Sequence, residues 1–347
     1  MSNIENNDSE EMNTLEQIKE QLKSSNSNDR FEAIYIIRKE RFPESIAILK
    51  NLVDNDSEIA VRELALIVLF ELQEPEIFSL VRKIFYDTTE SRFMRGRAIW
   101  ILGHFTDEQS FELVKLALED SDEEVLYWAI MGLLKNSFYQ EIIPKISSLL
   151  QSNRSALVRQ TAAWLLGMKH EINSKEILER TLLQDEHFSV RMISAWSLNR
   201  LNDINSLANL SKALQKDTNE LTRREIAFTI GNIVCKQNDE IKLTSEFLSF
   251  NDLAIRSLTR VLQRDTSYIV RRACAEALGQ LADKRAVPSL IETLTLDTNQ
   301  FVRKEIIITL GKIGDDQAYD VINGAKRSHY KMIEEAAIEA LSKLSKK

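Results

Sequence analysis

Three of the four tryptophans, Trp100, Trp164 and Trp196, stand 64 and 32 residues apart. Large flat side chains at a fixed spacing do the chemistry of anchoring: they bury much apolar area at little cost in rotamer freedom. The same position of a recurring pattern holds Tyr35, Ile67, Met131 and Phe228, then Glu276, Ile308 and Glu339. Four residues before it, Tyr127 and Met192 extend the apolar column, and Arg224, Arg272 and Lys304 follow in the later copies. Arg200, Lys312 and Lys343 fill a further position four residues after the column. The candidate partner-binding set is therefore Tyr35, Trp100, Tyr127, Met131, Trp164, Met192, Trp196 and Phe228, with Arg200, Arg224, Arg272 and Lys304. It runs from aromatic to basic. Such a set suits a protein or peptide whose acidic stretch is oriented by the basic end.

Covalent and metal chemistry have weaker claims. His104, His170, His187 and His329 show no metal-ligand spacing. The chain has no phosphate-binding glycine loop, no G-x-S-x-G and no cysteine cluster. Asp107 and Glu171 fall on turns, where acids are expected for capping. No catalytic residue, metal or cofactor is assigned from the sequence.

The elements that must position the column come from a repeat. Ten segments carry a common pattern, Asp-x5-Arg followed by an Ala- and Leu-rich run, and five of them keep both the aspartate and the arginine. The arginine slot is Arg30, Arg62, Arg95, Leu126, Arg159, Arg191, Arg223, Arg271, Arg303 and Glu334. Successive slots lie 32, 33, 31, 33, 32, 32, 48, 32 and 31 residues apart. Counting the arginine as zero, slots −1, +3, +6, +7 and +10 share one helical face and form the expected core. Slots +1, +5 and +8 lie opposite, on the face expected to line the concave side of a stack. A second amphipathic helix follows, with Pro288 opening it in one unit. Two such helices cannot bury their apolar faces alone, so neighbours must stack. Asp56, Asp120, Asp185, Asp217, Asp265 and Asp297 recur six residues before the slot. With the arginines, Arg191 and Arg303 among them, they are expected to form structural hydrogen bonds between neighbouring units.

The stretches IVRRACAEALGQLADKRAVPSLIETL at 269–294 and FVRKEIIITLGKIGDD at 301–316 resemble HEAT repeats of the short type named after phycobilisome lyases. The resemblance spans residues 13–347 and implies an all-α solenoid, a superhelix of about ten helical hairpins. It implies no single function, because the repeat serves scaffolds, lyases and DNA-repair enzymes. The leading expectation is a non-catalytic scaffold or adaptor. A bilin lyase or isomerase, with a flat tetrapyrrole against aromatics and arginines, is the first alternative. A nucleic-acid enzyme resembling the HEAT-like glycosylases is the second. The di-iron hydroxylases of this fold would require several His-Glu pairs, and His170-Glu171 is the one present.

The composition bounds these readings. Net charge of −8 opposes a general nucleic-acid binder. The chain contains two cysteines, Cys235 and Cys274, and Cys274 falls in a core slot. That suits a reducing, cytoplasmic setting with no disulfide. No apolar run is long enough to span a membrane. Residues 1–12 are read as a disordered acidic tail and 13–347 as a single solenoid. The 48-residue interval holds about sixteen extra residues near 236–251, expected as a short helix capping or crossing the groove.

Overall fold

Short polar side chains decide where the helices begin. Asn219 accepts from the amides of Leu221 and Thr222, and Asn299 from those of Phe301 and Val302. Each bond satisfies a donor that a helix start leaves free. Asp203, Asp283 and Asp315 do the same for the 3-10 turns joining two helices of a hairpin. Pro288 lies in the first turn of Val287–Leu296, where its missing N–H costs nothing.

The computed structural model describes residues 15–42, 44–237 and 239–344. The acidic tail read at 1–12 lies outside them. The described residues are helical, with no strand among them, and build an all-α solenoid. The chain divides into two compact units, Met1–Lys145 and Ile146–Lys347. In the first, the arginine-bearing helices Ser27–Glu40, Ile59–Glu71 and Arg92–Leu102 alternate with Ser45–Asn55, Ile77–Tyr86 and Glu108–Ala117, and Glu123–Gly132 follows. In the second, Ala156–Met168, Phe188–Leu201, Glu220–Cys235, Tyr268–Leu281 and Gln300–Ile313 alternate with Lys175–Gln184, Leu207–Lys216, Ser245–Arg264, Val287–Leu296 and Tyr319–Ala325. Lys331–Leu344 comes last.

The core uses a wider stripe than the expected slots. Val61, Ala65 and Leu69 are buried as expected, but so is Leu66 at slot +4. The same slot buries Ile34 and Ile99 in the first unit and Ala195, Ala227 and Ile307 in the second. Slot +8 also departs from expectation. Gly167, Gly231, Gly279 and Gly311 fill it, and all are buried rather than outward-facing. A Cβ on Gly167 would lie 2.6 Å from Ser197 Oγ and 2.8 Å from Ser197 Cα. Neighbouring arginine-bearing helices thus meet through small residues at slots +8 and +6. The slot +6 hydroxyls use that closeness: Ser197 donates to the Ala163 carbonyl and Thr309 to that of Ala275, each at 2.8 Å. Replacing Gly167 by alanine should therefore force the two helices apart and cost about 1–3 kcal/mol. Denaturant titration of the variant against the parent checks this, and an unchanged midpoint would show that the contact yields freely.

The arginines tie each hairpin to the next. Arg30 forks onto Asp56 with bonds of 2.8 and 2.9 Å, and Arg95 reaches Asp120 at 2.6 Å. In the second unit Arg159 forks onto Asp185, Arg191 onto Asp217, Arg223 onto Asp265 and Arg271 onto Asp297. Arg62 uses Glu90 instead. The aspartate also accepts from an amide two residues on, as Asp265 does from Ser267. Arg303 breaks the series: the expectation that it joins the ladder fails, because it has no such partner among the described residues.

The extra residues of the long interval do not make one separate helix. Asp239–Lys242 is a single turn, and the rest lengthens the second helix of its hairpin to Ser245–Arg264. Phe247 is buried, whereas Leu243 and Leu248 are exposed. Asn251 and Asp252 reach Asp283 and Arg285 in the turn of the next hairpin.

Candidate functional site

Slot +5 is nowhere part of the core. Its residues are half-buried or exposed in both units, with Tyr35 at 54% and Phe228 at 40% exposure. The packing just described leaves it there: slots +3, +4 and +7 carry the buried side chains, slot +8 meets the following arginine-bearing helix and slot +6 the preceding one. Slots +1, +2 and +5 are what remains.

In the first unit the column becomes a run of touching rings. Trp100 meets Phe70 edge-on at 6.1 Å, His104 at 4.4 Å and Trp128 at 6.3 Å, and Trp128 meets Tyr127 at 4.9 Å. Phe70 continues through Phe105 to Phe78. Edge-to-face geometry of this kind is favourable beyond the area it buries. Met131 is half-buried, and Tyr35 stands outside the run. Sequence reasoning missed Arg97, whose guanidinium lies 4.0 Å from the Trp128 ring centroid and 5.5 Å from that of Trp100. That is cation–π geometry. Glu63 approaches Arg97 at 3.5 Å, and Glu124 accepts from the Trp128 indole at 2.8 Å. Burial pushes the Glu63 carboxyl up from its ordinary range, against the attraction of Arg97. The available signal was that Arg97 and Trp128 both occupy slot +2 of adjacent repeats.

In the second unit Trp164, Met192 and Trp196 are half-buried. The Arg200 guanidinium lies 6.0 Å from the Trp196 ring centroid and donates to His170 Nε2 at 3.0 Å. Phe228, Arg224 and Arg272 come together on one open cavity of about 500 Å³, joined by Glu225, Tyr268 and Glu276. Lys304 is half-buried outside that lining. Arg272 also faces Glu305 at 3.6 Å. The C-terminal stretch is thus of mixed charge rather than basic.

Burial pushes the carboxyls of both Glu225 and Glu305 up, Arg224 opposing it at Glu225 and Glu276 adding repulsion at Glu305. A carboxyl raised in the fold binds more protons there than in the unfolded chain, so stability falls as pH rises from the unfolded pKa through the folded one. Glu225→Gln should raise the melting temperature at neutral pH, and the gain should vanish below about pH 4, where both forms are protonated. A gain that persists undiminished in acid would rule out titration of Glu225 as its source.

Among the described residues no group of three or more His, Cys, Asp or Glu is placed to hold a metal ion, and no helix is long and apolar enough to cross a membrane. Burial pushes the Cys274 thiol well up, away from reactivity.

A family model for HEAT repeats matches residues 143–231 and 255–342. None of the curated protein sequences matches the chain. Among solved structures, Kap95p in complex with RanGDP is 13% identical, aligns over 96% of this chain and 50% of its own, and has a TM-score of 0.68. Importin beta is 12% identical over 94% of this chain and 50% of its own, with a TM-score of 0.64. The chain therefore spans about half the length of each. The CpcE–CpcF phycocyanin lyase of Nostoc sp. PCC7120 is 21% identical over 49% of this chain and 98% of its own, but at a TM-score of 0.39 nothing follows from it.

Proposed function

The chain belongs to the HEAT-repeat family, and from that premise we propose that it is a non-catalytic scaffold or adaptor that holds a protein or peptide partner against its slot +5 face. The observation that carries this reading is the partial exposure of Trp100, Trp164, Trp196 and Phe228 in a slot that Glu276 and Glu339 fill elsewhere. A core position has no use for glutamate, and a plain solvated face has no use for recurring tryptophan. Small residues draw the arginine-bearing helices together within each unit, which supports placing their outward face on the inner side of the stack. The 32-residue period supports assigning the units to the short phycobilisome-lyase type and treating 13–347 as one continuous array. Kap95p, which shares the fold, binds RanGDP, so this fold is able to hold a folded protein.

The anchors we assign are Trp100 with Tyr127, Met131 and Arg97 in the first unit, and Trp164, Met192, Trp196 and Phe228 in the second. Arg224, Arg272 and Lys304 supply sites for acidic groups of the partner, interleaved with Glu225, Glu276 and Glu305. Such alternation selects a partner by charge pattern more than by net charge. Capture from source lysate by the intact protein, compared with a variant lacking the three column tryptophans, tests the reading. Equal capture by both would overturn it.

A further inference from the structure

We propose that the open end of the arginine ladder, at Arg303, is a binding site for a carboxylate supplied from outside the chain. Seven described arginines of the ladder each meet a side-chain carboxylate of the following hairpin. In four of them the acceptor lies 26 residues on: Asp56, Asp185, Asp217 and Asp297. The residue 26 positions after Arg303 is His329. The ladder thus continues on the donor side and stops on the acceptor side.

Arg303 is otherwise set up like its neighbours. It follows Asp297 by six residues, as Arg191 follows Asp185 and Arg271 follows Asp265. Those two arginines also donate to the carbonyl of that aspartate at 2.9 Å. Among the described residues Arg303 makes neither bond, and its Nε is buried without an acceptor. A buried guanidinium N–H left unmade is costly, which is the condition that favours an incoming acceptor.

Room and further charge are present. Arg303, Arg327, Ser328, His329 and Tyr330 border one open cavity of about 300 Å³. The amide equivalent to those that bond the other ladder carboxylates belongs to Lys331, two residues past His329. A planar carboxylate matches the guanidinium fork in two bonds. The preceding rung shows that geometry: Arg271 holds Asp297 with bonds of 2.6 and 3.0 Å. The Arg327 guanidinium adds a second positive charge at the same cavity. The source of the carboxylate is either a free small acid or an acidic side chain of a bound peptide, and the two share this chemistry.

The test uses the full chain and the variant His329→Asp, which places an internal carboxylate in the ladder register. Thermal unfolding is followed with acetate, with succinate and with a short Asp-rich peptide, each against chloride at matched ionic strength. The expected result is a rise in melting temperature for the parent protein with at least one carboxylate. His329→Asp should melt higher without ligand and lose the ligand-induced rise. A rise with the free acids identifies a small-molecule source, and a rise with the peptide alone identifies a protein source. No rise with any of the three, or a rise of equal size in His329→Asp, overturns the proposal. Arg303→Met guards against a misfolded His329→Asp: it should fold like the parent, since among the described residues the Arg303 side chain makes no bond to lose, and should also lose the ligand-induced rise. This outcome is independent of the slot +5 face, because none of the column residues borders the Arg303 cavity.

Discussion

Arg159→Ala is expected to destabilise the second unit by about 3–5 kcal/mol, the usual cost of leaving one member of a buried ion pair without the other. The Arg159 side chain is 7% exposed, as is that of Asp185. It makes two bonds to the Asp185 carboxylate, at 2.7 and 2.9 Å, and donates to the carbonyl of Asn153 at 2.9 Å. Alanine removes all of them and strands Asp185. Burial alone would raise the Asp185 carboxyl, but bonds from Arg159 and from the His187 amide outweigh it and hold the group below its ordinary range. A carboxyl lowered in the fold contributes stability above its unfolded pKa that is lost as pH falls through the folded one. Arg159→Ala should therefore also shrink the acid-side loss of stability. Arg303→Ala is the control: among the described residues Arg303 holds no carboxylate that its loss would strand, so it should cost well under what Arg159→Ala costs. Urea denaturation followed by circular dichroism at pH 7 and at about pH 2–3, below the ordinary aspartate pKa, measures both. Equal midpoints for Arg159→Ala and Arg303→Ala would mean that the ladder geometry contributes nothing to stability.

How far such effects can be read from the sequence differs from residue to residue. The period, the two helices per unit and the inter-hairpin role of the arginines follow from spacing, because every unit must repeat the same contacts. The core slot at +4 is muted in the second unit, where alanine fills it at Ala163, Ala195, Ala227 and Ala275, although Ile34, Leu66 and Ile99 mark it in the first. Alanine carries little hydrophobic signal, yet small side chains are what close helix packing selects. Gly279 shows the same ambiguity. Two residues from a helix end it resembles a stop signal, while a Cβ there would lie 2.8 Å from Thr309 Oγ1. Arg97 looks like any solvated charge until the neighbouring Trp128 is placed beside it. Arg303 misleads for a different reason. Its own segment is regular, and what it lacks lies one hairpin further on, at His329. The mixed charge around Phe228 is legible in Glu225, Glu276 and Glu305, but slot arithmetic that follows the basic residues alone passes over it.

Replacing Trp100, Trp164 and Trp196 together by alanine should weaken partner binding by more than about 100-fold. A single anchor residue at a protein interface is worth about 2 kcal/mol or more, a factor of roughly 30. Three such losses do not simply add, so the bound is set well below their product. The variant should keep its helical circular dichroism, and each substitution should cost less than the ~3–5 kcal/mol of truncating a core aromatic. These three side chains are half-buried, and the helices beneath them pack through other slots. Trp128 remains in the variant as an internal reporter. Its indole is bonded to Glu124 and lies against Arg97, so its emission should differ from that of the unfolded chain as long as the fold is intact. In the parent protein acrylamide should quench the three column tryptophans preferentially, and partner binding should protect them. Blue-shifted, unquenchable emission from the parent, together with unfolding of the triple variant, would make slot +5 structural. An intact variant that still binds its partner at the parent's affinity would place the binding face elsewhere.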